Sequence, residues 1–142
     1  MGLGINVVGA ILREHKYRPI DGDVLLMGRQ AVYFSPAEIL ELLHQNGIEP
    51  RLKPEQITLD KTTLNRNASG DKELITDTSL FKLLGAKSVC ALDHSDYEGA
   101  EVIHDLTKPL PEHLKGIADF IVDGSTLDNT FNPALTIQNY AE

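Results

Sequence analysis

Residues 85–132 read GAKSVCALDHSDYEGAEVIHDLTKPLPEHLKGIADFIVDGSTLDNTFN, and this stretch decides the fold. It holds three short apolar runs, each stopped by an acid and then by small or polar residues. Ser88-Val89-Cys90-Ala91-Leu92 stops at Asp93, Val102-Ile103 stops at Asp105, and Phe120-Ile121-Val122 stops at Asp123. Such runs read as short strands buried on both faces. In an open α/β sheet, ligands lie beyond the carboxyl ends of the strands, where an acid can hold ribose hydroxyls. Three acids in that position point to a nucleoside-type ligand.

Working upstream, Ile20-Asp21-Gly22-Asp23 makes a turn into Val24-Leu25-Leu26-Met27-Gly28, which predicts another strand over 23–27. The remaining strands are expected over 87–92, 101–104 and 119–123. Helices are expected between them. Ile5, Val8, Ile11, Leu12 and His15 recur at helical spacing and predict a helix over 4–16. A second helix is punctuated at both ends: Ser35 caps it, Pro36 takes the first position, Glu38 completes a capping box and Gly47 closes it. Its apolar face is Ile39, Leu40, Leu42 and Leu43. A short helix over 77–84 closes at Gly85, a turn or short helix falls near 111–115, and Asn132-Pro133 starts a last helix through Tyr140. Strands alternating with helices imply a mostly parallel, doubly wound α/β sheet with flanking helices. Gly2 and Gly4 resemble the start of a dinucleotide fingerprint, but no strand is expected before them and Val7 holds the third glycine position. Residues 48–75, broken by Pro50, Pro54 and Ser69-Gly70, show no sustained period. A connection this long is either a lid or binding loop, or an inserted surface excursion.

The chain has 142 residues, 42% hydrophobic and 24% charged, which suits one globular domain spanning 1–142. It contains no apolar run of the roughly 18 residues that a membrane span needs. Its start lacks the basic character of a secretory signal, so a cytoplasmic location is expected. Cys90 is the single cysteine, which rules out an internal disulfide and reads as a buried structural thiol. A net charge of -8 argues against non-specific nucleic-acid binding, which needs a basic footprint, and suits a cationic ligand such as a sulfonium. His94, His104, Asp96 and Asp105 are metal-ligand types, but they lack tight spacing on one element, so no metal is expected.

The run Ala91-Leu92-Asp93-His94-Ser95-Asp96-Tyr97-Glu98-Gly99-Ala100, then His104-Asp105-Leu106, then Asp123-Gly124-Ser125-Thr126-Leu127-Asp128-Asn129 resembles the strand-end signatures of class I S-adenosylmethionine-dependent methyltransferases. The resemblance covers about Asp21 to Glu142 and corresponds to the family's N-terminal, cofactor-binding half. It implies a Rossmann-like sheet of order 3-2-1-4, counting the strands at 23–27, 87–92, 101–104 and 119–123. It also implies S-adenosylmethionine as the cofactor. Asp93 would accept from both ribose hydroxyls, with His94 beside it in the cofactor site. Asp105 and the Leu106 amide would meet the adenine edge, and Asp123 and Gly124 would line the floor near the departing methyl group. His104 or Asp123 would serve as base if the acceptor must lose a proton. Where the family places two or three glycines after the first strand, this chain has Gly28 alone, then Arg29. Gly28 allows close backbone approach, and Arg29 either pairs with the methionine carboxylate or is a surface charge.

The family's last strands, which carry much of the acceptor site, have no counterpart here, so the sheet is expected to be incomplete. Its fourth strand would form an open edge, which invites a second copy to pair there; the alternative is that the chain is a fragment. The expected activity is therefore methyl transfer from S-adenosylmethionine to an unspecified acceptor. The alternatives are a non-catalytic nucleoside-binding or interaction module without the acceptor half, and a different small α/β enzyme using the same acids.

Overall fold

A computed structural model describes residues 2–61 and 72–142. The chain is an α/β protein with parallel sheets and divides into two compact units. One comprises Met1–Asp21 with Gln30–Lys87, the other Gly22–Arg29 with Ser88–Glu142.

The first unit contains strand β1 (Gly2–Leu3), helix α1 (Ile5–Tyr17), strand β3 (Ala31–Val32), helix α2 (Pro36–Gln45) and helix α3 (Asp77–Leu84). α1 forms because Val8, Ile11 and Leu12 recur on one side, which is the side it buries. α2 begins at the expected capping box: Ser35 Oγ accepts from the Glu38 N–H, and the Glu38 carboxylate accepts from the Ser35 N–H at 2.8 Å. α3 is capped by Thr76, whose hydroxyl accepts from the Ser79 N–H, and ends at Gly85, whose φ of 111° only glycine adopts readily. The parallel pair β1–β3 was not expected from the sequence. Gly2 lies opposite Ala31, and a Cβ at Gly2 would require the exposed tip of the Tyr33 side chain to move aside. Of the 48–75 segment, Pro54–Gln56 is a short 3-10 turn, and Leu59 and Ile75 form an antiparallel bridge. Residues 62–71, including Ser69-Gly70 and much of the expected lid or insertion, lie outside the described residues.

The second unit is a sheet of β2 (Asp23–Met27), β4 (Ser88–Asp93), β5 (Val102–Ile103) and β6 (Phe120–Asp123), followed by helix α4 (Pro133–Ala141). All its pairings are parallel, and the strands stand in the order β5-β4-β2-β6. The sheet is small, since β5 pairs through two residues only. Val24, Leu25, Leu26 and Met27 are all buried, as a central parallel strand requires. β6 departs from the expected pattern: Val122 is buried, but Phe120 and Ile121 are half-buried. Among the described residues, no strand pairs with the outer edge of β6. Cys90 is also half-buried and packs beside the cluster of Leu25, Met27, Leu92 and Leu106. At the amino ends of the strands, Asp119 Oδ2 accepts from the Asp23 N–H at 2.9 Å, and the Ser88 hydroxyl donates to Asp23 Oδ1 at 2.6 Å.

Candidate functional site

Because the second unit's sheet is wholly parallel, the carboxyl ends of its strands share one edge. That edge gathers Gly28 after β2, Asp93 and His94 after β4, His104 to Leu106 after β5, and Asp123 and Gly124 after β6. The register sets Met27 beside both Leu92 and Asp123, so Gly28 leaves the sheet between two of the acids. Gly28 holds φ at 75°, its N–H donates to the Leu92 carbonyl at 2.8 Å, and a Cβ there would come within 3.4 Å of Asp93 Oδ2. It is the positive φ, which glycine adopts without strain, that calls for a glycine at this turn.

The three acids are held differently. Asp93 Oδ1 accepts from the His94 N–H at 2.6 Å, and no donor among the described residues meets Oδ2. Asp105 turns back on its own loop. Its Oδ1 accepts from the Thr107 hydroxyl at 2.6 Å and the Thr107 N–H at 3.0 Å, while Lys108 lies 3.5 Å from Oδ2. Thr107 above all, with Lys108, holds the Asp105 carboxyl below the ordinary carboxylate range. Asp123 is fully engaged. Oδ1 accepts from the N–H groups of Ser125 and Thr126, and Oδ2 accepts from the Leu127 N–H at 2.9 Å and the Tyr140 hydroxyl at 2.8 Å. Burial alone would raise its pKa. The hydrogen bonds from Ser125, Tyr140, Thr126 and Leu127 together outweigh that and hold it below the usual value. Tyr140 is shifted the other way, first by burial and then by its bond to the Asp123 carboxylate.

The expected bases are thus partly committed. Asp123 serves its own loop, and His104 has Nε2 3.4 Å from the Lys108 carbonyl, while its backbone N–H donates to the Asp93 carbonyl. Leu106 is buried, and its carbonyl accepts from Asn139 Nδ2 at 3.0 Å. Arg29 pairs with Glu101, whose second oxygen accepts from the Ala91 N–H at 2.8 Å. Its Nε also donates to the Gly99 carbonyl at 3.4 Å, so the guanidinium ties the 94–101 loop to the β2 exit. His94 is exposed beside Asp93.

No role is read from the sequence for Glu101, for Tyr140 or for the Ser125, Thr126 and Leu127 N–H groups that hold Asp123. Ser125 holds φ at 135°, a strained value for a non-glycine residue, with its N–H on Asp123 and its carbonyl accepting from Asn129 Nδ2. The Thr126 hydroxyl donates to the Met27 carbonyl at 3.1 Å, filling the gap between the ends of β2 and β6. Asp followed two residues later by Ser or Thr is an Asx-turn signature, and it stands at both Asp105 and Asp123. Among the described residues, no group of three or more His, Cys, Asp or Glu side chains is placed to hold a metal ion. Nor is any described helix long and apolar enough to cross a membrane. Comparison of the chain with protein-family models, curated proteins and solved structures finds no match.

Proposed function

We propose that the carboxyl edge of the second unit's sheet, a small Rossmann-like half-sheet, binds a nucleoside-type cofactor of the S-adenosylmethionine class. Methyl transfer to an unspecified acceptor is then the activity that the resemblance implies. One observation carries the reading. Of the three strand-end acids, Asp93 alone keeps a carboxylate oxygen that no described donor meets, and that oxygen stands beside the turn at Gly28, 3.4 Å from where a Cβ would be. A ribose seated over Gly28 would donate to Asp93 Oδ2, while the His94 N–H on Oδ1 fixes the carboxylate's orientation.

The fit to such a cofactor is good at Gly28 and Asp93 and poor elsewhere. Asp105 and Asp123 spend acceptors on the loops that shape the floor, Asp105 on Thr107 and Asp123 on Ser125, Thr126, Leu127 and Tyr140. Arg29 pairs with Glu101. If bound, the cofactor supplies an electrophilic methyl group, and the protein's part is alignment and exclusion of water. The engagement of His104 and Asp123 within the chain favours the second reading, a nucleoside-binding module without catalysis. The deciding experiment is calorimetric titration with S-adenosylhomocysteine, adenosine and a dinucleotide, on the wild type and on Asp93→Ala. Binding of the first two, lost by at least tenfold in a folded Asp93→Ala chain, supports the site, since a hydrogen bond to a charged acceptor is worth about 1.5–3 kcal/mol. Unchanged affinity removes Asp93 from it, and turnover with a methyl acceptor separates enzyme from binding module.

A further inference from the structure

The sheet face that α4 covers holds a pocket of about 140 Å³, open to solvent beside Gly116 and Ile117, which are exposed. It contains none of Gly28, Asp93 and His94, so it does not rest on the function proposed for the carboxyl edge. Leu25, Met27 and Ile121 of the sheet and Leu106 and Leu114 of the connections give it apolar walls, and Asn139 of α4 adds a polar one.

Asn139 stands there because α4 packs with its polar side inward. Thr136 and Asn139 are its buried residues, at 0% and 5% exposure, whereas Ile137 is 55% exposed. Thr136 spends its hydroxyl within the helix, on the Asn132 carbonyl at 3.1 Å. Asn139 Nδ2 donates to the Leu106 carbonyl at 3.0 Å and to the Lys108 carbonyl at 2.9 Å. Those two carbonyls fix which end of the amide is nitrogen, because an oxygen turned toward them would face acceptors only. The oxygen is the end left over, and no donor among the described residues meets it. Tying the helix to the 106–108 loop needs the nitrogen alone. An amide oxygen on a side chain this buried is costly unless something donates to it. Two other polar side chains on the lining are engaged: the Tyr140 hydroxyl donates to Asp123, and the Glu142 carboxylate pairs with Lys115 at 3.1 Å.

We propose that this pocket binds a small neutral molecule that carries one O–H or N–H donor on a compact apolar body, of about the size of phenol. The donor meets Asn139 Oδ1, displacing the water that reaches it through the open side, and the body lies against Leu106, Leu114 and Ile121. A cavity of about 150 Å³ in an unrelated protein takes up benzene, so a single ring fits. One amide oxygen offsets the desolvation of a hydroxyl but not that of a full charge, so an ion is not recognised.

The test titrates the full chain with phenol, toluene and benzoate and follows side-chain amide and methyl NMR signals. Toluene matches phenol in size but has a methyl group in place of the donor, and benzoate is an anion with acceptors only. Phenol should give saturable shifts at the Asn139 side-chain amide and at the methyl groups of Leu106, Leu114 and Ile121. Toluene should bind about fivefold more weakly, the worth of one neutral hydrogen bond, and benzoate should shift none of these signals. Leu114→Trp fills the pocket from a half-buried position on its wall and should abolish the phenol shifts while leaving the rest of the spectrum in place. Toluene or benzoate binding as tightly as phenol overturns the proposal. So does a phenol titration without saturable shifts, or an equal response in a folded Leu114→Trp chain, either of which leaves Asn139 Oδ1 to water alone. Should Leu114→Trp fail to fold, the ranking of the three probes on the wild type still decides.

Discussion

Replacing Asp123 by Asn separates a carboxylate that holds a loop from one kept ready for a substrate. Oδ1 carries the N–H groups of Ser125 and Thr126, and Oδ2 carries Leu127 N–H and the Tyr140 hydroxyl. An asparagine keeps one acceptor oxygen, so whichever way its amide turns, one of these pairs loses its acceptor and the charge is gone. Two charge-assisted bonds, discounted to about 1–1.5 kcal/mol each because solvent reaches a half-buried carboxylate, give a loss of about 2–3 kcal/mol. At an unfolding entropy of about 0.3 kcal/mol/K for a chain of this length, Tm should fall by about 7–10 °C. Tyr140→Phe removes one bond and should cost about 1 kcal/mol, or about 3 °C. The double variant should be less destabilised than the sum, because both changes remove the same contact. The assay is calorimetric unfolding at pH 7, repeated down to pH 3. Asp123 has a lowered pKa in the folded chain, so its contribution is complete above the unfolded carboxylate value of about 3.9 and fades as pH falls through the folded value. The Asn variant should lose that part of the acid dependence. A Tm within about 1 °C of the wild type, or strict additivity with Tyr140→Phe, would refute the reasoning.

Three other outcomes are expected. Gly22→Ala places a Cβ 2.2 Å from Asp119 Oδ2, which cannot retreat without releasing the Asp23 N–H, so denaturant unfolding should show a loss of about 1–3 kcal/mol. His15 accepts the Ile20 N–H on Nδ1, and burial, then Arg51, lower its pKa while Asp21 opposes them. Its contribution is therefore complete above about pH 6.5 and lost as pH falls from there through the folded value, so His15→Gln should flatten the urea midpoint between pH 5 and 7.5. Arg29→Ala should weaken S-adenosylhomocysteine and methylthioadenosine equally and speed amide exchange in residues 94–100, because the guanidinium serves Glu101 and Gly99. A selective loss for the ligand with a carboxylate would show direct pairing instead.

What the sequence made legible was local. Ser35, Pro36 and Glu38 lie within one turn and fix the start of α2 by bonds among themselves, and unbroken apolar runs located β2, β4 and β6. The β1–β3 pair was invisible because two-residue strands have no period to read, and their partners stand 29 residues apart. At the site, the positions of the acids were legible but their use was not. Thr107 and Ser125-Thr126 stand in sequence beside Asp105 and Asp123 and could have been read as turn formers. Nothing local announces that Tyr140 reaches Asp123 across 17 residues, or that Arg29 meets Glu101 across 72.

The interleaving of the two units bears on how the protein is made. β2 is the strand on which β4 and β6 both pair, yet it lies in an eight-residue excursion, Gly22–Arg29, from the sequence of the other unit. A polypeptide beginning at Ser88 would carry α4, β4, β5 and β6 and still have no strand to bring them together. During synthesis, β2 must therefore wait for β4 at Ser88–Asp93 and then for β6 at Phe120–Asp123, with the Asp119 to Asp23 contact closing across 96 residues. Contacts so distant in sequence form slowly, because the intervening chain must be ordered before they are made. The apolar Val24-Leu25-Leu26-Met27 segment is exposed to other chains throughout that interval, which makes it the point at which misassembly during synthesis would begin.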